Sequence, residues 1–268
     1  MNRTAITISL VPEARGGPFV FWDLEEGCRK AKAAGYDAVE LFAPSAEAVT
    51  AAGPAIARHG LALAAAGTGA GWVLHKLTLT SPDPEARSRA RAFIRGFVDA
   101  AGRLGAPAIL GSMEGRWGGP VDRKEALRLL AEALEDLGEA ARRYDVPFLL
   151  EPLNRYEGNV VCTLADGAAI VDGLATRNVG LLADLFHMNI EERSPAGALR
   201  EAGGRVRHVQ LADSNRHPAG LGHTDWAAVA AAVREIGYAG AISAEALPFP
   251  DPDTAAKTAM DTIRKHFR

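Results

Sequence analysis

The sequence predicts an α/β fold in which eight parallel strands alternate with helices and close into a (β/α)₈ barrel. The joins between predicted elements are alike, since each has a helix end, a turn residue and then a buried strand, as in AAGYDAVEL, GRLGAPAIL and REIGYAGAI. These units recur roughly every 25–40 residues, as stacked βα units require. A chain of 268 residues, 48% of them apolar and without a Ser- or Pro-rich linker, fits one such barrel. We therefore expect residues 1–268 to form a single domain.

Eight short apolar runs are predicted as the strands. The expected ranges are Thr4–Leu10, Ala38–Leu41, Ala62–Ala66, Ala108–Gly111, Pro147–Glu151, Gly180–Asp184, Val206–Leu211 and Gly240–Glu245. Runs such as FLLE and GLLAD do not alternate polar with apolar residues, as expected for parallel strands that are buried on both faces. Helices are expected between the strands, with a last helix toward Arg268.

Several helices carry recognisable start signals. Asp23 and Asp122 are each followed three residues later by glutamate, which is the spacing of a capping box. Ser81 followed by Pro82 predicts an N-cap with proline at the first helical position. The next helix carries an apolar stripe at helical period, formed by Ala90, Phe93, Ile94, Phe97, Val98, Ala101 and Leu104. This stripe predicts a helix that covers the sheet.

Composition and charge exclude several functional classes. The formal net charge is −3 at pH 7, so no basic surface for nucleic acid or anionic membrane is indicated. Cys28 and Cys162 form neither a CxxC pair nor a cluster, which argues against a disulfide framework and a structural zinc site. No apolar run approaches the roughly 20 residues that span a bilayer. We expect a cytoplasmic protein with a small-molecule partner.

The last four predicted strands each end on an oxygen-bearing side chain. Glu151 ends FLLE, Asp184 ends GLLAD, Gln210 ends RHVQ and Glu245 ends AISAE. One such residue alone more often caps the following loop or helix. In a parallel barrel, however, the C-terminal strand ends converge at the catalytic mouth. Three carboxylates and one amide suit one hard divalent cation, Mn²⁺ or Mg²⁺ rather than zinc, with Co²⁺ as a further candidate.

The residues around these positions resemble a known enzyme family. Glu151 opens EPLNRYE, Asp184 opens DLFHMNIEE and Gln210 lies in HVQLADSNRHPAGLG. Together with AISAE, these motifs resemble the xylose-isomerase-like sugar isomerase and epimerase barrels, above all the D-tagatose 3-epimerase and hydroxypyruvate isomerase branches. The epimerases usually have His where this chain has Gln210, whereas the hydroxypyruvate isomerases tend to have Gln. The branch therefore stays open at this point.

The resemblance implies a role for each matching residue. It makes the four strand-end residues the metal ligands, and Glu151 and Glu245 also the catalytic acid/base pair. His187 and Arg216 match the family's contacts to substrate oxygens. Glu157 falls on the position that helps to hold the reacting end of the sugar.

Some of these residues have structural alternatives. Arg216 could simply form an ion pair with Asp213 within the same loop. Glu157 could simply be exposed to solvent. His208 alternates with Gln210 on one strand and should point the same way. It is either a partner that orients a ligand or a core histidine with satisfied hydrogen bonds.

Trp117 is a candidate for substrate contact. It ends the segment EGRW after the fourth predicted strand, so it should lie on the catalytic face, where an aromatic ring suits the C–H surface of a sugar. Aromatic residues in such loops also pack beneath the loop or join a subunit interface, as catalytic-face loops of the family often do. The resemblance therefore also allows a homo-oligomer.

The expected chemistry is proton transfer beside a carbonyl group. A cation bound to a ketone oxygen and the neighbouring hydroxyl stabilises the charge that develops when the carbon loses its proton, which gives an enediolate. Return of the proton to the other face inverts the carbon, whereas transfer to the adjacent carbon interconverts aldose and ketose. The sequence thus predicts an isomerase or epimerase of a small keto sugar or hydroxy-carbonyl compound. Two alternatives are a dehydratase or lyase of a keto-polyol, such as a keto-inositol or a dehydroshikimate-like compound, and a non-catalytic barrel that serves as a binding or assembly subunit.

Overall fold

The computed structural model describes residues 2–268 and contains a closed barrel of eight parallel strands in sequential order. The strands are β1 Thr4–Ser9, β2 Ala38–Phe42, β3 Ala62–Gly67, β4 Ala108–Leu110, β5 Phe148–Leu150, β6 Val179–Asp184, β7 Val206–Leu211 and β8 Ile242–Ala244. Each strand pairs with its successor, and β8 closes the barrel on β1 with Thr4 opposite Ile242. The predicted fold class is confirmed.

Ten α-helices connect and cover the strands in the described part of the chain. They are α1 Leu24–Ala34, α2 Ala46–Arg58, α3 Ala70–His75, α4 Pro84–Arg103, α5 Arg123–Arg142, α6 Leu164–Gly173, α7 Leu185–Glu191, α8 Pro195–Ala202, α9 Trp226–Glu235 and α10 Pro252–His266. Within residues 2–268, none of these helices has both the length and the apolar character needed to cross a membrane.

The N-caps predicted at Asp23 and Asp122 are confirmed for α1 and α5, whereas the side chains of Glu26 and Glu125 pair with arginines and do not complete the capping box. Asp23 accepts a hydrogen bond from the Glu26 N–H, and Asp122 accepts one from the Glu125 N–H, both at 2.8 Å. Each cap satisfies a backbone donor that the first helical turn leaves without a partner.

The predicted start of α4 at Ser81 and Pro82 is wrong. The N-cap is Asp83, whose carboxylate accepts from the N–H groups of the first turn, and Pro84 occupies the first helical position. A helix that began at Pro82 would place Asp83 in a helical conformation directly before proline, which is disfavoured by the clash with the proline ring. Ser81 instead accepts a hydrogen bond from the Asp83 N–H at 3.2 Å, in the turn before the helix.

Two apolar regions hold the barrel together. A large cluster fills the space between strands and helices, and it includes Ile94 and Phe97 of α4 and Leu134 of α5, all fully buried. A smaller cluster of Ala65, Ile109, Leu149 and Leu182 belongs to β3–β6. Leu149 and Leu182 lie two residues before Glu151 and Asp184, so their side chains point to the same interior side of the barrel. This apolar layer forms the floor on which the polar strand ends rest.

The buried surface of α5 should dominate its contribution to stability. Leu134→Ala is expected to lower the free energy of unfolding by about 2–5 kcal/mol, because the truncated side chain leaves a cavity. Leu221 is 41% exposed, so Leu221→Ala should change the free energy of unfolding by less than about 0.5 kcal/mol. Urea unfolding followed by circular dichroism measures both, and equal effects would contradict the burial of the α5 face.

Candidate active site

The four predicted strand-end residues lie at the C-terminal mouth of the barrel. Glu151 directly follows β5, Asp184 ends β6, Gln210 belongs to β7 and Glu245 directly follows β8. Asp184 lies opposite Gln210 in the β6–β7 register, which places the two side chains on adjacent strands at one level. Convergence follows from the closed parallel sheet, since all its strands end at this rim.

An inner cavity of about 140 Å³ opens at this rim. Among the residues that line it are Glu151, His187, Gln210, Arg216 and Glu245. Asp184 is 1% exposed and joins the same cluster through contacts with its neighbours. The structure therefore brings together all four strand-end side chains with two of the predicted substrate contacts.

Arg216 is the positive centre of the cluster. Its guanidinium group donates to Asp184 through Nη1, and to Glu245 through Nη2 at 2.5 Å. Burial alone would lower the pKa of Arg216, but the two carboxylates outweigh it and raise that pKa, which keeps the guanidinium charged. The side-chain partners of Arg216 are thus catalytic-face carboxylates and not Asp213, so the alternative of a purely local loop pair is wrong.

Glu151 is held in a crowded, largely dry position. A Cβ at Gly111, which follows β4, would come within 2.6 Å of Glu151 Oε2, so the carboxylate occupies space that only glycine leaves free. Burial raises the pKa of Glu151 well above its ordinary range, and the carboxylates of Glu245 and Asp184 raise it further. Burial likewise raises the pKa of Glu245, although Arg216 opposes the shift. Without a cation, both groups therefore hold a proton more readily than a solvated glutamate.

His187 presents one ring nitrogen to the carboxylates. Its Nε2 lies 3.5 Å from Asp184 Oδ2 and 3.7 Å from Glu151 Oε1. On the other side of the ring, Nδ1 faces the backbone N–H of Asn154 at 3.3 Å and the Asn154 side-chain amide at 2.7 Å. Burial lowers the pKa of His187, so the neutral ring is favoured. Because two donors face Nδ1, the proton belongs on Nε2, which becomes a donor into the cavity.

That tautomer separates His187 from the cation ligands. Ligand atoms of Glu151, Asp184 and His187 lie within 4.8 Å of one another, which is close enough for a shared ion. Coordination through Nε2, however, would require the proton to move to Nδ1 and would break the contacts with Asn154. We therefore assign His187 to hydrogen-bond donation, as the family resemblance implied.

Gln210 is oriented by Glu40, a residue that was not predicted as part of the site. Its Nε2 donates to Glu40 Oε1, and the other Glu40 oxygen contacts His208 Nε2 at 2.7 Å. The amide Oε1 of Gln210 is consequently turned away from Glu40, and it is buried without a hydrogen-bond partner among the described residues. An unsatisfied buried oxygen costs about 1–3 kcal/mol, and since Gln210 lines the inner cavity, a ligand bound there is a candidate partner for this oxygen.

These features fit a divalent cation. Three carboxylates and an unpaired amide oxygen form an all-oxygen donor set of the kind that Mg²⁺ and Mn²⁺ prefer. When ionised, the three carboxylates carry three negative charges and Glu40 beside Gln210 carries a fourth, whereas Arg216 contributes one positive charge. A divalent cation would offset two of the remaining negative charges.

Asp213 shapes the loop that carries Arg216. Its buried carboxylate accepts from the N–H groups of Ser214 and Gly220 at 2.8 Å, from Thr224 N–H at 3.0 Å and from Trp226 Nε1 at 3.0 Å. Burial would raise the pKa of Asp213, but these four donors outweigh it and lower the pKa to about 2. The loop holds Arg216 at a φ of 61°, a left-handed conformation that few residues other than glycine adopt.

The remaining predicted residues lie at the edge of the site. Glu157 borders the inner cavity and accepts from the Asn154 amide at 2.9 Å. Trp117 does not line that cavity; its indole Nε1 donates to the backbone oxygen of Asn159 at 2.5 Å and joins two loops. Its proposed contact with substrate finds no support in this placement.

Sequence reasoning missed Glu40 and Asn154. The signal for Glu40 was a lone acidic residue inside the apolar run AVELF, and that for Asn154 was its place within EPLNRYE.

Comparison with known proteins yields one family and consistent relatives. The model of the protein family described as xylose isomerase-like TIM barrel matches residues 28–266 of this chain. D-psicose 3-epimerase of Ruminiclostridium cellulolyticum is 33% identical over 171 residues, or 62% of this chain and 58% of that protein. The 3-dehydro-D-guloside 4-epimerase of Escherichia coli is 31% identical over 138 residues, or 51% of this chain and 53% of that protein. The chain thus matches less than two thirds of the length of these curated relatives.

A solved structure of L-ribulose 3-epimerase superposes over the whole chain. It is 26% identical, has a TM-score of 0.83, and the match covers 100% of this chain and 95% of that structure. The likeness therefore includes the barrel rim where the candidate site lies.

Replacement of the Asp213 carboxylate should destabilise the loop around Arg216. Asp213→Asn keeps the shape of the side chain but replaces one carboxylate oxygen by an N–H₂ group. That group would face two N–H donors without an acceptor, so the free energy of unfolding should fall by about 2 kcal/mol at pH 7. The pKa of about 2 lies below the unfolded value, so the stability that Asp213 contributes is present above roughly pH 4 and is lost as the pH falls toward 2.

Urea unfolding at pH 7 and pH 3 measures this difference. Its matched control is Asp172→Asn, which changes an exposed carboxylate paired with Arg205 and should leave the unfolding midpoint nearly unchanged. Equal midpoints for Asp213→Asn and the wild type at pH 7 would contradict the role of the buried carboxylate.

Proposed function

Because the chain belongs to the xylose isomerase-like TIM barrel family, we propose that it is a sugar epimerase that uses a divalent cation and two glutamates to invert a carbon beside a ketone. The curated relatives are named as a D-psicose 3-epimerase and a 3-dehydro-D-guloside 4-epimerase, which supports inversion at one carbon of a small sugar. The observation that carries the proposal is the convergence of Glu151, Gln210 and Glu245 on the inner cavity, together with a Gln210 oxygen that has no hydrogen-bond partner among the described residues.

Glu151, Asp184, Gln210 and Glu245 would hold the cation, with Mn²⁺ or Mg²⁺ as the ion best suited to their oxygen atoms. When bound there, the ion supplies a Lewis acid that stabilises negative charge on a substrate carbonyl oxygen. Glu40 fixes the Gln210 amide by accepting a hydrogen bond from its Nε2, which leaves the amide oxygen free to bind the cation. This orientation spares the site the cost of ordering Gln210 when a ligand arrives.

The two glutamates would move the proton. Glu151 follows β5 and Glu245 follows β8, so the two carboxylates reach the inner cavity from different sides of the barrel. One carboxylate removes the proton from the carbon beside the ketone, and the other returns a proton to the opposite face. A general acid or base must lie within hydrogen-bond reach of the proton it transfers, and both carboxylates line the cavity in which the substrate would bind.

Neighbouring donors would stabilise the charge that builds on oxygen. His187 presents Nε2–H toward Glu151 and Asp184, and Asn154 locks its tautomer. Arg216 adds a fixed positive charge beside both acidic neighbours. Loss of one such preorganised donor typically costs about 10²–10³ in kcat.

The same constellation would also support elimination, in which a dehydratase or lyase expels a hydroxyl group from a keto-polyol. The names of the relatives favour epimerisation, and product analysis separates the two reactions. Epimerisation conserves mass, whereas elimination releases water and leaves a conjugated carbonyl that absorbs in the ultraviolet. A conjugated product would replace the proposal with the lyase.

Cation binding should depend on the oxygen set. We expect purified protein stripped with EDTA to regain close to one Mn²⁺ per chain, with a rise in melting temperature, because the ion offsets repulsion among buried carboxylates. Asp184→Asn should weaken Mn²⁺ binding at least about tenfold, since it removes one anionic donor. Elemental analysis and thermal shift measure both effects, and Glu235→Gln on the surface of α9 serves as the control.

Single glutamate variants should separate the two proton transfers. Glu151→Gln and Glu245→Gln should each lower the epimerisation kcat by about 10²–10⁴-fold, since each removes a general acid or base. In D₂O, one variant should still exchange the reacting hydrogen of one epimer, and the other variant that of the opposite epimer. Product formation from D-psicose and D-fructose is followed by chromatography, and exchange is followed by NMR.

Each of these variants also removes one anionic cation ligand, so the rates are compared at Mn²⁺ concentrations that saturate each variant. Unchanged epimerisation in both single variants with the ion still bound would contradict the two-glutamate mechanism. Glu235→Gln again provides the control, because its carboxylate pairs with Arg200 on the surface.

A further inference from the structure

A second and larger cavity, here termed the outer cavity, lies beside the inner one and has a volume of about 660 Å³. Its walls come from four loops on the catalytic face: the β1–α1 loop, the segment from α3 to α4, the β4–α5 loop and the β5–α6 loop. The residues that line the outer cavity include Trp72, Thr78, Ser81, Arg116 and Tyr156. No cation ligand or acid/base residue proposed above lines it.

The two cavities share a wall. Pro18, Phe19, Phe42, Ser112 and Glu157 line both of them, so a ligand that reaches the inner cavity passes directly beside the outer one. Phe19 and Phe42 pack against each other with ring centroids 4.7 Å apart, which makes this shared wall a rigid aromatic ledge. The outer cavity is therefore an extension of the candidate active site.

The lining combines aromatic faces with hydroxyl groups. Trp72 is 42% exposed and Tyr156 is 76% exposed, and both belong to the wall of the outer cavity. Lys76 Nζ lies 4.9 Å from the Trp72 ring centroid and supports the position of the indole. Thr78 and Ser81 add hydroxyl donors and acceptors. Aromatic faces suit the C–H surfaces of a sugar ring, and hydroxyl groups suit its polar edge.

The charge of its lining and its volume restrict the kind of ligand that the outer cavity can bind. Arg116 and Glu157 contribute one charge of each sign to the lining, and Lys76 lies against Trp72, so the lining has no cluster of several cations of the kind that binds a phosphate group. The inner cavity, at about 140 Å³, is small beside the roughly 300–1,000 Å³ of typical ligand sites, whereas the outer cavity falls within that range. A free ketose would use the inner cavity and leave most of the outer one to solvent.

We propose that the outer cavity is a subsite for an uncharged second sugar ring, so that the preferred substrate is a keto sugar in glycosidic linkage and not a free or phosphorylated ketose. The inference rests on the proposed function and extends it to the class of substrate. The reacting ring lies in the inner cavity, and the glycosidic partner stacks on Trp72.

Three ketones test this inference. They are D-psicose, methyl 3-ketoglucoside and a glucosyl disaccharide oxidised at C3 of one ring, and the last two share the same reacting ring. The wild type should show a kcat/KM for the disaccharide at least about tenfold above that for the methyl glycoside, as expected when an aromatic anchor is engaged. Trp72→Ala should abolish this preference, so that the disaccharide and the methyl glycoside react with equal kcat/KM.

Two further variants serve as controls. Trp72→Phe keeps an aromatic face and should retain most of the preference. Leu104→Ala truncates a similarly exposed apolar side chain at the end of α4, away from both cavities, and should behave as the wild type. Circular dichroism establishes that each variant is folded.

The outcomes separate this inference from the proposed function. Turnover with equal kcat/KM for methyl glycoside and disaccharide would overturn the subsite and leave the epimerase standing. A change in oligomeric state in Trp72→Ala, without a change in preference, would assign the surface to a second copy of the chain. If none of the ketones reacts, calorimetry with the unoxidised disaccharide decides: binding weakened about tenfold in Trp72→Ala supports the subsite, and equal binding overturns it.

Discussion

Three carboxylates that point into one narrow barrel mouth must be neutralised, and the rest of the site follows from this constraint. Glu151, Asp184 and Glu245 are brought together by strand ends that a closed parallel sheet cannot separate. Burial raises the pKa values of Glu151 and Glu245, and the neighbouring carboxylates add to this shift. Arg216 supplies one positive charge, and the donor chemistry calls for a divalent cation to supply the others.

Residues around the three carboxylates hold the side chains of the site in position. Gly111 leaves room for the Glu151 carboxylate, and Asp213 gathers four N–H donors to shape the loop of Arg216. Asn154 sets the tautomer of His187, and Glu40 turns the Gln210 amide. Each of them acts through a neighbour and positions a group that is already rigid before any ligand binds. Such preorganisation is what makes electrostatic stabilisation effective in enzyme sites.

Much of the fold and the centre of the site could be predicted from the sequence. Parallel strands that are buried on both faces leave a plain apolar signal, so a polar residue at the end of such a run, as at Asp184, stands out. Glu40 lies inside the short run AVELF, and its partner His208 is remote in sequence, so their contact depends on barrel closure. The outer cavity was beyond prediction for a similar reason, since Trp72 of α3 and Tyr156 of the β5–α6 loop are remote in sequence and meet only in the folded chain. For Trp117, the position after β4 correctly predicted the catalytic face of the barrel. It did not predict the direction of the indole, which points to the backbone of Asn159.

Anomalous X-ray diffraction from crystals grown with Mn²⁺ tests the central claim most directly. We expect one anomalous peak per chain, contacted by oxygen atoms of Glu151, Asp184, Gln210 and Glu245, with His187 Nε2 outside the coordination sphere. A peak bound by His187 in place of Gln210, or no peak at the barrel mouth, would contradict the account.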